Sequence, residues 1–463
     1  MPVYIHNSLT RKKEELVPLE PPAVNIYTCG VTVYDDSHIG HARSLYTFDV
    51  IRRYLKYRGF RVKFVRNITD IDDKIINRAR ELKEDWRQLV DKYIFRYYED
   101  LSSLGIEKAD FEPRATENIP DMIEYIRSLM EKGYAYESGG DVYFEVRKFS
   151  SYGKLSGQSI DQMHSGIRIE PSELKKDVLD FALWKKSKEG EPAWDSPWGK
   201  GRPGWHIECS VMSQKFLKSQ TLDIHAGGRD LVFPHHENEI AQAEALTGKP
   251  FARYWIHHGL LTINGQKMSK SLGNFITIND ILNKYPADIL KIFYLQAHYS
   301  SPIDFSWEKM EEAKKAYEHL DILFRKLEVV PAAGSITVGQ WQEYKDKFIE
   351  HMDDDFNTPR ALAVLFDMTN ACNKVLARDV ASLELRQALS ILKEMTGIFG
   401  LKFTRLDSAV ISKQEVEKLI TLRLNCKKEK KFARADEIRR DLESKGIILE
   451  DTKDGETTWR RRI

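Results

Sequence analysis

Apolar and polar residues near the start of the chain follow two spacings that together predict a strand, a helix and a second strand. A compact apolar run over 24–30 ends in a glycine, helical spacing of apolar positions covers 42–58, and an alternating run follows over 61–68. A strand, a helix and a strand within about fifty residues form a βαβ unit, whose two strands lie parallel in one sheet. Ligands of such sheets bind at the carboxyl ends of the strands. The pattern therefore predicts an α/β domain with a site at that edge.

Later segments predict the rest of this sheet, an insertion and a hairpin. Helical spacing fills much of 73–133, the polar stretch 149–166 is typical of an insertion, and apolar runs resume over 209–254. Asn264-Gly265 directly after an apolar run is a strong hairpin signal, because both central positions of the favoured turn have positive φ. We expect the residues after this hairpin to form a loop.

The apolar pattern changes in the last third of the chain, where it predicts helices. Beyond about residue 308 apolar positions recur at helical steps, and Asn357-Thr358-Pro359 supplies a cap and a first-turn proline for one helix. We predict an α/β, Rossmann-type parallel-sheet domain with an inserted connective domain, then an α-helical bundle and a small C-terminal domain. The predicted boundaries are 1–115 and 201–255 for the two halves of the sheet domain, 116–200 for the insertion, 256–308 for the hairpin and the loop after it, 309–404 for the bundle and 405–463 for the C-terminal domain.

Composition excludes several classes of protein. With 463 residues, 42% apolar and 30% charged, the chain is typical of a globular protein of several domains. No apolar run is long enough to span a membrane, and the first thirty residues lack the layout of a signal peptide. Four cysteines without a C-x-x-C pair argue against a disulfide framework. We therefore expect a cytoplasmic protein without membrane contact.

The net charge of +1 hides a basic C-terminal segment. Residues 411–463 hold 15 Lys and Arg against 11 Asp and Glu, a local balance of +4 that leaves −3 for the remainder. Clustered basic residues either contact nucleic acid or form a solvated helix face. The tail alone leaves both interpretations open.

Two short polar motifs carry the candidate chemistry. His38-Ile39-Gly40-His41 lies where the first strand should turn into the first helix, and Lys267-Met268-Ser269-Lys270-Ser271 follows the predicted hairpin. His38 and His41 can donate hydrogen bonds to phosphate oxygens, the helix N-terminus adds backbone N–H groups, and Gly40 lets a flat base approach the backbone. Lys267 and Lys270 can neutralise charge on a departing pyrophosphate. Together the motifs predict a triphosphate site; the alternative is a buried histidine pair and a solvated loop.

One histidine and one glutamate form a candidate metal pair. His235 and Glu239 are four residues apart, so a helix would place them on one face, as a metal pair or as a simple hydrogen-bonded pair. Cys29 and Cys209 lie 180 residues apart, and their spacing alone does not assign them to a metal.

The two polar motifs resemble the signature motifs of class I aminoacyl-tRNA synthetases. Longer strings narrow the resemblance to the cysteinyl-tRNA synthetase family, and the similarity runs essentially from end to end. The strings are YTCGVTVYD (27–35), RNITDIDDK (66–74), GWHIECS (204–210), FPHHENE (233–239) and TTWRR (457–461). Strings of this kind are highly specific, and they are the source of the expectations that follow.

The resemblance implies a metal that recognises the amino acid. Members of the family hold one Zn²⁺ per chain, and its ligands correspond here to Cys29, Cys209, His235 and Glu239. This zinc binds the thiolate of substrate cysteine, and a soft thiolate is a far better zinc ligand than the hydroxyl of serine. A metal can therefore give a selectivity that a pocket of matching size cannot. Thr69 and Trp205 resemble positions that line the amino-acid pocket.

The resemblance also implies ATP, with Mg²⁺, as a substrate. The matching ATP-binding positions are His38, Gly40, His41 and Lys270, and the matching catalytic positions are His38, His41, Lys267 and Lys270. L-cysteine and ATP would give cysteinyl-adenylate and pyrophosphate, and the cysteine would then pass to the 3′ end of tRNA(Cys). Catalysis is expected from positioning and charge stabilisation in the sheet domain.

The same resemblance assigns tRNA binding to the last two domains. The helical bundle and the basic C-terminal domain would bind tRNA, the latter on the anticodon side. Trp459 and Arg460 are candidate contacts to the anticodon loop, and the alternative for Trp459 is a place in the core of the small domain. The family suggests a monomer.

Two rival functions share parts of this pattern. A cysteine ligase of thiol metabolism uses the same core and zinc site but couples cysteine to an amino-sugar, and residues 311–463 with their basic tail argue against it. A non-catalytic RNA-binding relative is the other rival, and the intact motifs and complete set of zinc ligands argue against that.

Overall fold

The larger part of the chain folds as one compact unit and the C-terminus as another. The computed structural model describes residues 2–166, 174–268, 273–330, 341–377, 383–403, 413–428, 431–444, 447–451 and 457–461. The two units are Met1–Leu401 and Lys402–Ile463. Within the described ranges, no helix has both the length and the apolar character needed to cross a membrane.

Strands and helices of the larger unit alternate along most of its length. The strands are β1 (Tyr4–Asn7), β2 (Lys12–Glu15), β3 (Ala23–Thr32), β4 (Arg61–Thr69), β5 (Ala135–Ser138), β6 (Asp141–Phe144), β7 (Phe181–Lys186), β8 (Gly201–Pro203), β9 (Leu222–Gly228), β10 (Ala252–His258), β11 (Leu261–Ile263), β12 (Gln266–Lys267) and β13 (Ile303–Phe305). The α-helices are α1 (Ile39–Tyr57), α2 (Asp73–Leu82), α3 (Trp86–Leu104), α4 (Ile119–Glu131), α5 (Ile160–Gly166), α6 (Trp205–Leu217), α7 (Glu237–Thr247), α8 (Ile278–Leu282), α9 (Ala287–Leu295), α10 (Trp307–Glu328), α11 (Gln342–Asp353), α12 (Thr358–Leu376) and α13 (Leu383–Ile398).

A parallel four-stranded sheet in the order β10-β9-β3-β4 forms the centre of the larger unit. Every residue of β9 is buried, as expected for a sheet covered on both faces. Helix α1 connects β3 to β4, so the predicted βαβ unit is confirmed. The helix begins at Ile39 rather than at residue 42, because the side chain of His38 caps it.

The insertion contains a second sheet, which is antiparallel and has the order β5-β6-β7-β8. The apolar pattern did not predict these strands. Phe144 and Trp184 of this sheet share one buried core with Ile126 of α4 and Ile207 of α6. The insertion is thus packed directly onto the helix that begins beside the candidate site.

The predicted hairpin is confirmed, and its turn has the expected backbone. Asn264 and Gly265 have φ of 50° and 75°, and β12 pairs with β11, which also pairs with β13. Asp304 of β13 accepts hydrogen bonds at Oδ1 from the Thr262 hydroxyl (2.6 Å) and from the Gly265 N–H (2.7 Å). The turn that precedes the lysine motif is therefore held by a carboxylate.

A buried arginine joins α1 to the base of this hairpin. The guanidinium of Arg43 donates to the backbone carbonyls of Gly259, Leu260, Tyr299 and Ser301, and its side chain is almost fully buried. Each buried carbonyl left without a donor would cost roughly 1–3 kcal/mol. Arg43 therefore fixes the helix of the histidine motif to the chain on both sides of the hairpin.

Helices α10, α11, α12 and α13 form the predicted helical part, and three consecutive aspartates attach it to the sheet domain. Asp353 accepts from the Tyr54 hydroxyl (2.7 Å) and pairs with Arg58. Asp354 pairs with Lys13, and Asp355 accepts from the His6 N–H (2.8 Å). The capped start predicted for the helix at Asn357-Thr358-Pro359 is also confirmed, since the Asn357 side chain accepts from the Arg360 N–H.

The described residues of the smaller unit form two helices and a hairpin around a small core. Its elements are α14 (Lys413–Lys428), α15 (Phe432–Ser444), β14 (Ile447–Asp451) and β15 (Thr457–Arg461), with β14 and β15 antiparallel. Val416, Ile438 and Leu442 lie in its buried core, and Trp459 packs against that core. The alternative placement of Trp459, in the core of the small domain, agrees with this packing.

Candidate active site and metal centre

The histidine motif forms the N-terminus of α1, at the carboxyl edge of the parallel sheet. Nδ1 of His38 accepts hydrogen bonds from the backbone N–H groups of Gly40 (3.1 Å) and His41 (3.3 Å), and the His38 N–H donates to Nδ1 of His41 (3.4 Å). The two rings stack with their centroids 3.7 Å apart. The sequence predicts that the helix N–H groups meet an anion, and the structure shows that those of Gly40 and His41 already donate to the His38 side chain.

Each of the two imidazoles keeps one donor. Burial lowers the pKa of His38 to about 4 and that of His41 well below its usual value, so both rings are neutral at neutral pH. Because Nδ1 accepts a hydrogen bond in each ring, the single proton of each ring lies on Nε2. A Cβ on Gly40 would lie 2.9 Å from the His38 ring, so glycine preserves this arrangement. The motif thus presents two neutral N–H donors.

The lysine motif returns to the histidine motif through the residues that follow it. The Ile39 N–H donates to the Ile276 carbonyl (3.1 Å), and the Ile278 N–H donates to the Ser37 carbonyl (3.0 Å). Lys267 is exposed on β12, and the Met268 side chain lies 3.5 Å from the position of a Cβ on Gly40. Residues 269–272, and with them Lys270, lie outside the described residues. The fold therefore brings the start of the lysine motif to the histidine motif.

The four candidate metal ligands converge from four separate elements. Cys29 lies on β3, Cys209 on α6, Glu239 on α7, and His235 on the single π-helical turn just before α7. Their ligand atoms all lie within 4.8 Å of one another. The distances are 2.9 Å from His235 Nε2 to Glu239 Oε1, 3.4 Å from Cys29 Sγ to Glu239 Oε1 and 3.6 Å from Cys209 Sγ to His235 Nε2. A tetrahedral zinc site has ligand atoms roughly 3.3–3.8 Å apart, so this group is close to that geometry.

The electrostatics of the cluster suit a bound cation. Burial would raise the pKa of Cys209, but hydrogen bonds from Cys29 and His235 lower it to about 6. Burial also opposes ionisation of Glu239, yet His225 and His235 hold the pKa of this carboxyl well below its usual value. Thiolate and carboxylate ligands bind metal in their deprotonated forms. Cys209, His235 and Glu239 are buried while Cys29 is partly exposed, so a ligand can approach from the side of Cys29.

Further histidines hold the unused atoms of these ligands. His206 Nδ1 lies 2.8 Å from His235 Nδ1, and His225 Nε2 lies 2.6 Å from Glu239 Oε2. Metal-binding histidines and carboxylates are usually held in this way by a second partner. A second possible set, Cys29, His225, His236 and Glu239, shares two members with the first. In the first set, His235 and Glu239 each direct one atom to the cluster while another histidine holds the other atom.

These two supporting histidines were not predicted from the sequence. His206 lies within the string GWHIECS, so its position close to Cys209 was the available signal. His225 lies in the buried strand β9. It comes close to Glu239 of α7 only through the arrangement of the sheet, which the sequence pattern does not reveal.

The two candidate pocket residues lie next to the cluster. Trp205 begins α6, is 38% exposed and stacks on His235 with ring centroids 4.1 Å apart. Thr69 ends β4, and its hydroxyl donates to Glu208 Oε2 (2.7 Å) and accepts from Asn67 Nδ2 (3.2 Å). Burial, followed by the charge of Cys209, raises the pKa of Glu208 well above its usual value. Sequence reasoning did not single out Glu208 or Asn67.

A cavity of about 550 Å³ lies between the insertion and the start of α6, and Trp205 and His206 form part of its wall. Its other walls include Lys175, Lys186 and Lys188 from the insertion. Acidic side chains (Asp72, Asp73, Asp141 and Glu191) line the cavity as well, so the opening beside the candidate amino-acid pocket has mixed charge.

The candidate tRNA contacts lie in the smaller unit. Trp459 of β15 is partly buried and pairs in register with Leu449 of β14. Arg460 lies on the same strand, and its side chain is outside the described residues.

Family models match most of the chain. The model described as "tRNA synthetases class I (C) catalytic domain" matches residues 15–315, and the model described as "DALR domain" matches residues 347–404. The first match contains the parallel sheet, both polar motifs and the four-ligand cluster.

Curated relatives match the whole chain. The cysteine–tRNA ligase of Aquifex aeolicus is 52% identical over 495 residues, which cover 100% of this chain and 99% of the relative. The cysteine–tRNA ligase of Persephonella marina is 52% identical over 490 residues and is covered completely, as is this chain.

Solved structures share the fold. A methionyl-tRNA synthetase of Mycobacterium tuberculosis in complex with methionyl-adenylate aligns with a TM-score of 0.61 at 15% identity, over 86% of this chain and 94% of that chain. At this identity the likeness concerns the fold alone. The class I synthetase architecture, with a parallel sheet followed by a helical domain, is confirmed.

Proposed function

This chain belongs to the cysteine–tRNA ligase family of class I aminoacyl-tRNA synthetases, and on that premise we propose how its residues charge tRNA(Cys) with L-cysteine. The proposed reaction has two steps: formation of cysteinyl-adenylate and pyrophosphate from cysteine and ATP, and transfer of the cysteine to the 3′ end of the tRNA. The enzyme is proposed to work in the cytoplasm as a monomer.

The observation that carries this proposal is the buried group of two thiols, an imidazole and a carboxylate beside Thr69 and Trp205. Cys29, Cys209, His235 and Glu239 would hold one Zn²⁺, whose chemistry when bound is to accept the substrate thiolate as a ligand and to lower the pKa of that thiol. The partly exposed side of the cluster at Cys29 is the side from which cysteine would enter. Trp205 would form one wall of the pocket and exclude water from it.

The two polar motifs supply the groups for adenylate formation. The Nε2–H donors of His38 and His41 are proposed to bind phosphate oxygens of ATP, which also carries Mg²⁺. Lys267 and Lys270 are proposed to meet the charge that develops on the pyrophosphate. Gly40 leaves room for the nucleotide against α1. This scheme needs no covalent enzyme intermediate, because positioning and charge stabilisation suffice.

The acceptor end of the tRNA is proposed to arrive through the cavity that reaches Trp205. Lys175, Lys186 and Lys188 in its wall are the proposed contacts to phosphate oxygens of the tRNA. The helical part and the smaller unit would hold the rest of the tRNA, with Trp459 and Arg460 as proposed contacts on the anticodon side.

Two assays on the full chain test the function. Pyrophosphate exchange into ATP should depend on cysteine and proceed without tRNA, and charging should require tRNA(Cys). A thiol-metabolism ligase would exchange pyrophosphate and then use an amino-sugar instead of tRNA, whereas a non-catalytic relative would do neither. Cysteine-dependent exchange without tRNA charging would therefore contradict the proposal.

A chain that ends at Leu401 should separate activation from charging. It keeps the parallel sheet, both motifs and the ligand cluster and lacks the whole smaller unit. We expect cysteine-dependent pyrophosphate exchange within about twofold of the full chain, but KM for tRNA raised at least tenfold, because lost phosphate and stacking contacts are worth several kcal/mol. Thermal unfolding of the shortened chain provides the control for folding. Charging equal to that of the full chain would show that the smaller unit does not bind tRNA.

A further inference from the structure

Glu208 is a buried acid on α6 to which the scheme above gives no role. Its side chain is 1% exposed, one residue before Cys209 and three after Trp205. Oε2 accepts the hydrogen bond from Thr69, whereas Oε1 is buried and has no hydrogen-bond partner among the described residues. Nor does any lysine, arginine or histidine in the described part of the chain form an ion pair with it. Burial without a cationic partner disfavours the charged form of this carboxyl group, and a cation that came from outside the protein would stabilise that form.

The hydrogen bonds around Thr69 determine what its hydroxyl can offer a ligand. Asn67 Oδ1 accepts from the Gly30 N–H (2.8 Å) and from the Tyr27 hydroxyl (3.0 Å), so the Asn67 amide must turn its Nδ2 donor toward Thr69. The Thr69 hydroxyl accepts that bond and gives its only proton to Glu208. What remains on this hydroxyl is a lone pair. A ligand at Thr69 therefore meets an acceptor with a carboxylate directly behind it.

The α-ammonium group of an amino acid complements this pair. It carries a positive charge and three N–H donors and has no acceptor. In cysteine the nitrogen is two carbons from the sulfur, and in the protein Thr69 is linked to the metal cluster through a single residue, Asn67, whose Oδ1 lies 3.9 Å from Cys209 Sγ. One cysteine molecule can thus bring its thiol to the cluster and its ammonium group to Thr69.

We infer that Glu208 is a positioning residue that holds the Thr69 hydroxyl as an acceptor and supplies the counter-charge for the α-ammonium group of the substrate. It sets specificity for thiols that carry an amine two carbons away over thiols that lack one. This inference rests on the proposed function and deepens it, because it names the residues that bind the α-ammonium group of cysteine, which the metal cluster does not contact.

Binding measurements with three small thiols test the inference. L-cysteine and cysteamine carry the ammonium group, and 3-mercaptopropionate lacks it. In the metal-loaded full chain, Glu208→Gln should weaken cysteine and cysteamine by roughly 10–100-fold, the size expected for losing a charged hydrogen bond, and leave 3-mercaptopropionate unchanged. Titration calorimetry gives the dissociation constants, and metal content and melting temperature are measured on the same samples. An equal loss for all three thiols, or unchanged binding of cysteine, would overturn the assignment.

One control variant and two substitutions of Thr69 complete the test. Asp223→Asn removes another buried carboxylate, one whose two oxygens accept from the Leu19 and Asn25 N–H groups at the amino end of the sheet, and should leave the preference for cysteine over 3-mercaptopropionate unchanged. If Glu208→Gln does not fold, Thr69→Val should show the same selective loss and Thr69→Ser should restore it; a loss shared by Val and Ser overturns the inference. A wild-type chain that binds no cysteine would refute the proposed function itself, whereas normal cysteine binding by both wild type and Glu208→Gln refutes only the role of Glu208.

Discussion

Cys209→Ser is expected to remove both the bound metal and the binding of cysteine. Its Sγ is one of four ligand atoms within 4.8 Å of one another, and the hydrogen bonds from Cys29 and His235 favour its thiolate form. A serine hydroxyl does not ionise near neutral pH and is a poor ligand for zinc. We expect metal affinity to fall by more than about 100-fold, since residues that merely support a ligand already contribute 10–100-fold. Elemental analysis after gel filtration and cysteine-dependent pyrophosphate exchange measure the two losses.

Cys372→Ser is the matched control for this experiment. Cys372 is a buried free thiol of α12, and burial raises its pKa to about 12, so it stays protonated. The variant can lose some stability but should keep full metal content and full cysteine binding. Wild-type protein that is active without zinc, or a Cys209→Ser protein that retains it, would refute the metal assignment.

Lys270→Ala should slow adenylate formation by about 100- to 1,000-fold, the usual effect of removing one group that stabilises charge in a transition state. The residue lies outside the described part of the chain, so this expectation rests on the motif and on the proximity of Met268 to Gly40. Because the lysine would act on the departing pyrophosphate, KM for cysteine should change little. Single-turnover formation of cysteinyl-adenylate under saturating ATP measures the rate directly.

Lys249→Ala controls for the loss of a positive charge as such. Lys249 is exposed just before β10, at the amino end of the same sheet. Its loss should leave the rate unchanged. If Lys270→Ala also left the rate of activation unchanged, the lysine loop would have no part in the mechanism.

Elements that depend on local signals were predictable from the sequence. The βαβ unit follows from apolar spacing, and the hairpin follows from Asn264-Gly265, whose positive φ values only a few residue types adopt readily. The cap at Asn357 is another local signal, since the side chain bonds within three residues of its own position. Apolar periodicity, turn-forming residues and helix caps each depend on only a few neighbouring residues, so they can be recognised in the sequence before the fold is known.

Features that depend on distant pairing could not be predicted in this way. The strands β5, β6 and β8 have three or four residues each, which is too short to establish a two-residue period. Strand β7 pairs with β6 although a long stretch of chain separates the two strands. Cys29 and Cys209 meet because β3 lies against α6, and only the resemblance to a family connected them beforehand. The pairing of helix N–H groups with His38 was missed because a histidine is an uncommon capping residue.

Arg43 fixes the base of the hairpin that carries the start of the lysine motif. One guanidinium binds the chain immediately before the hairpin, at Gly259 and Leu260, and the chain after α9, at Tyr299 and Ser301, to the helix of the histidine motif. Any rearrangement of the hairpin that left these four bonds intact would have to begin beyond Leu260. A hybrid enzyme that took its lysine hairpin from another synthetase would need to retain both carbonyl segments to keep this anchor.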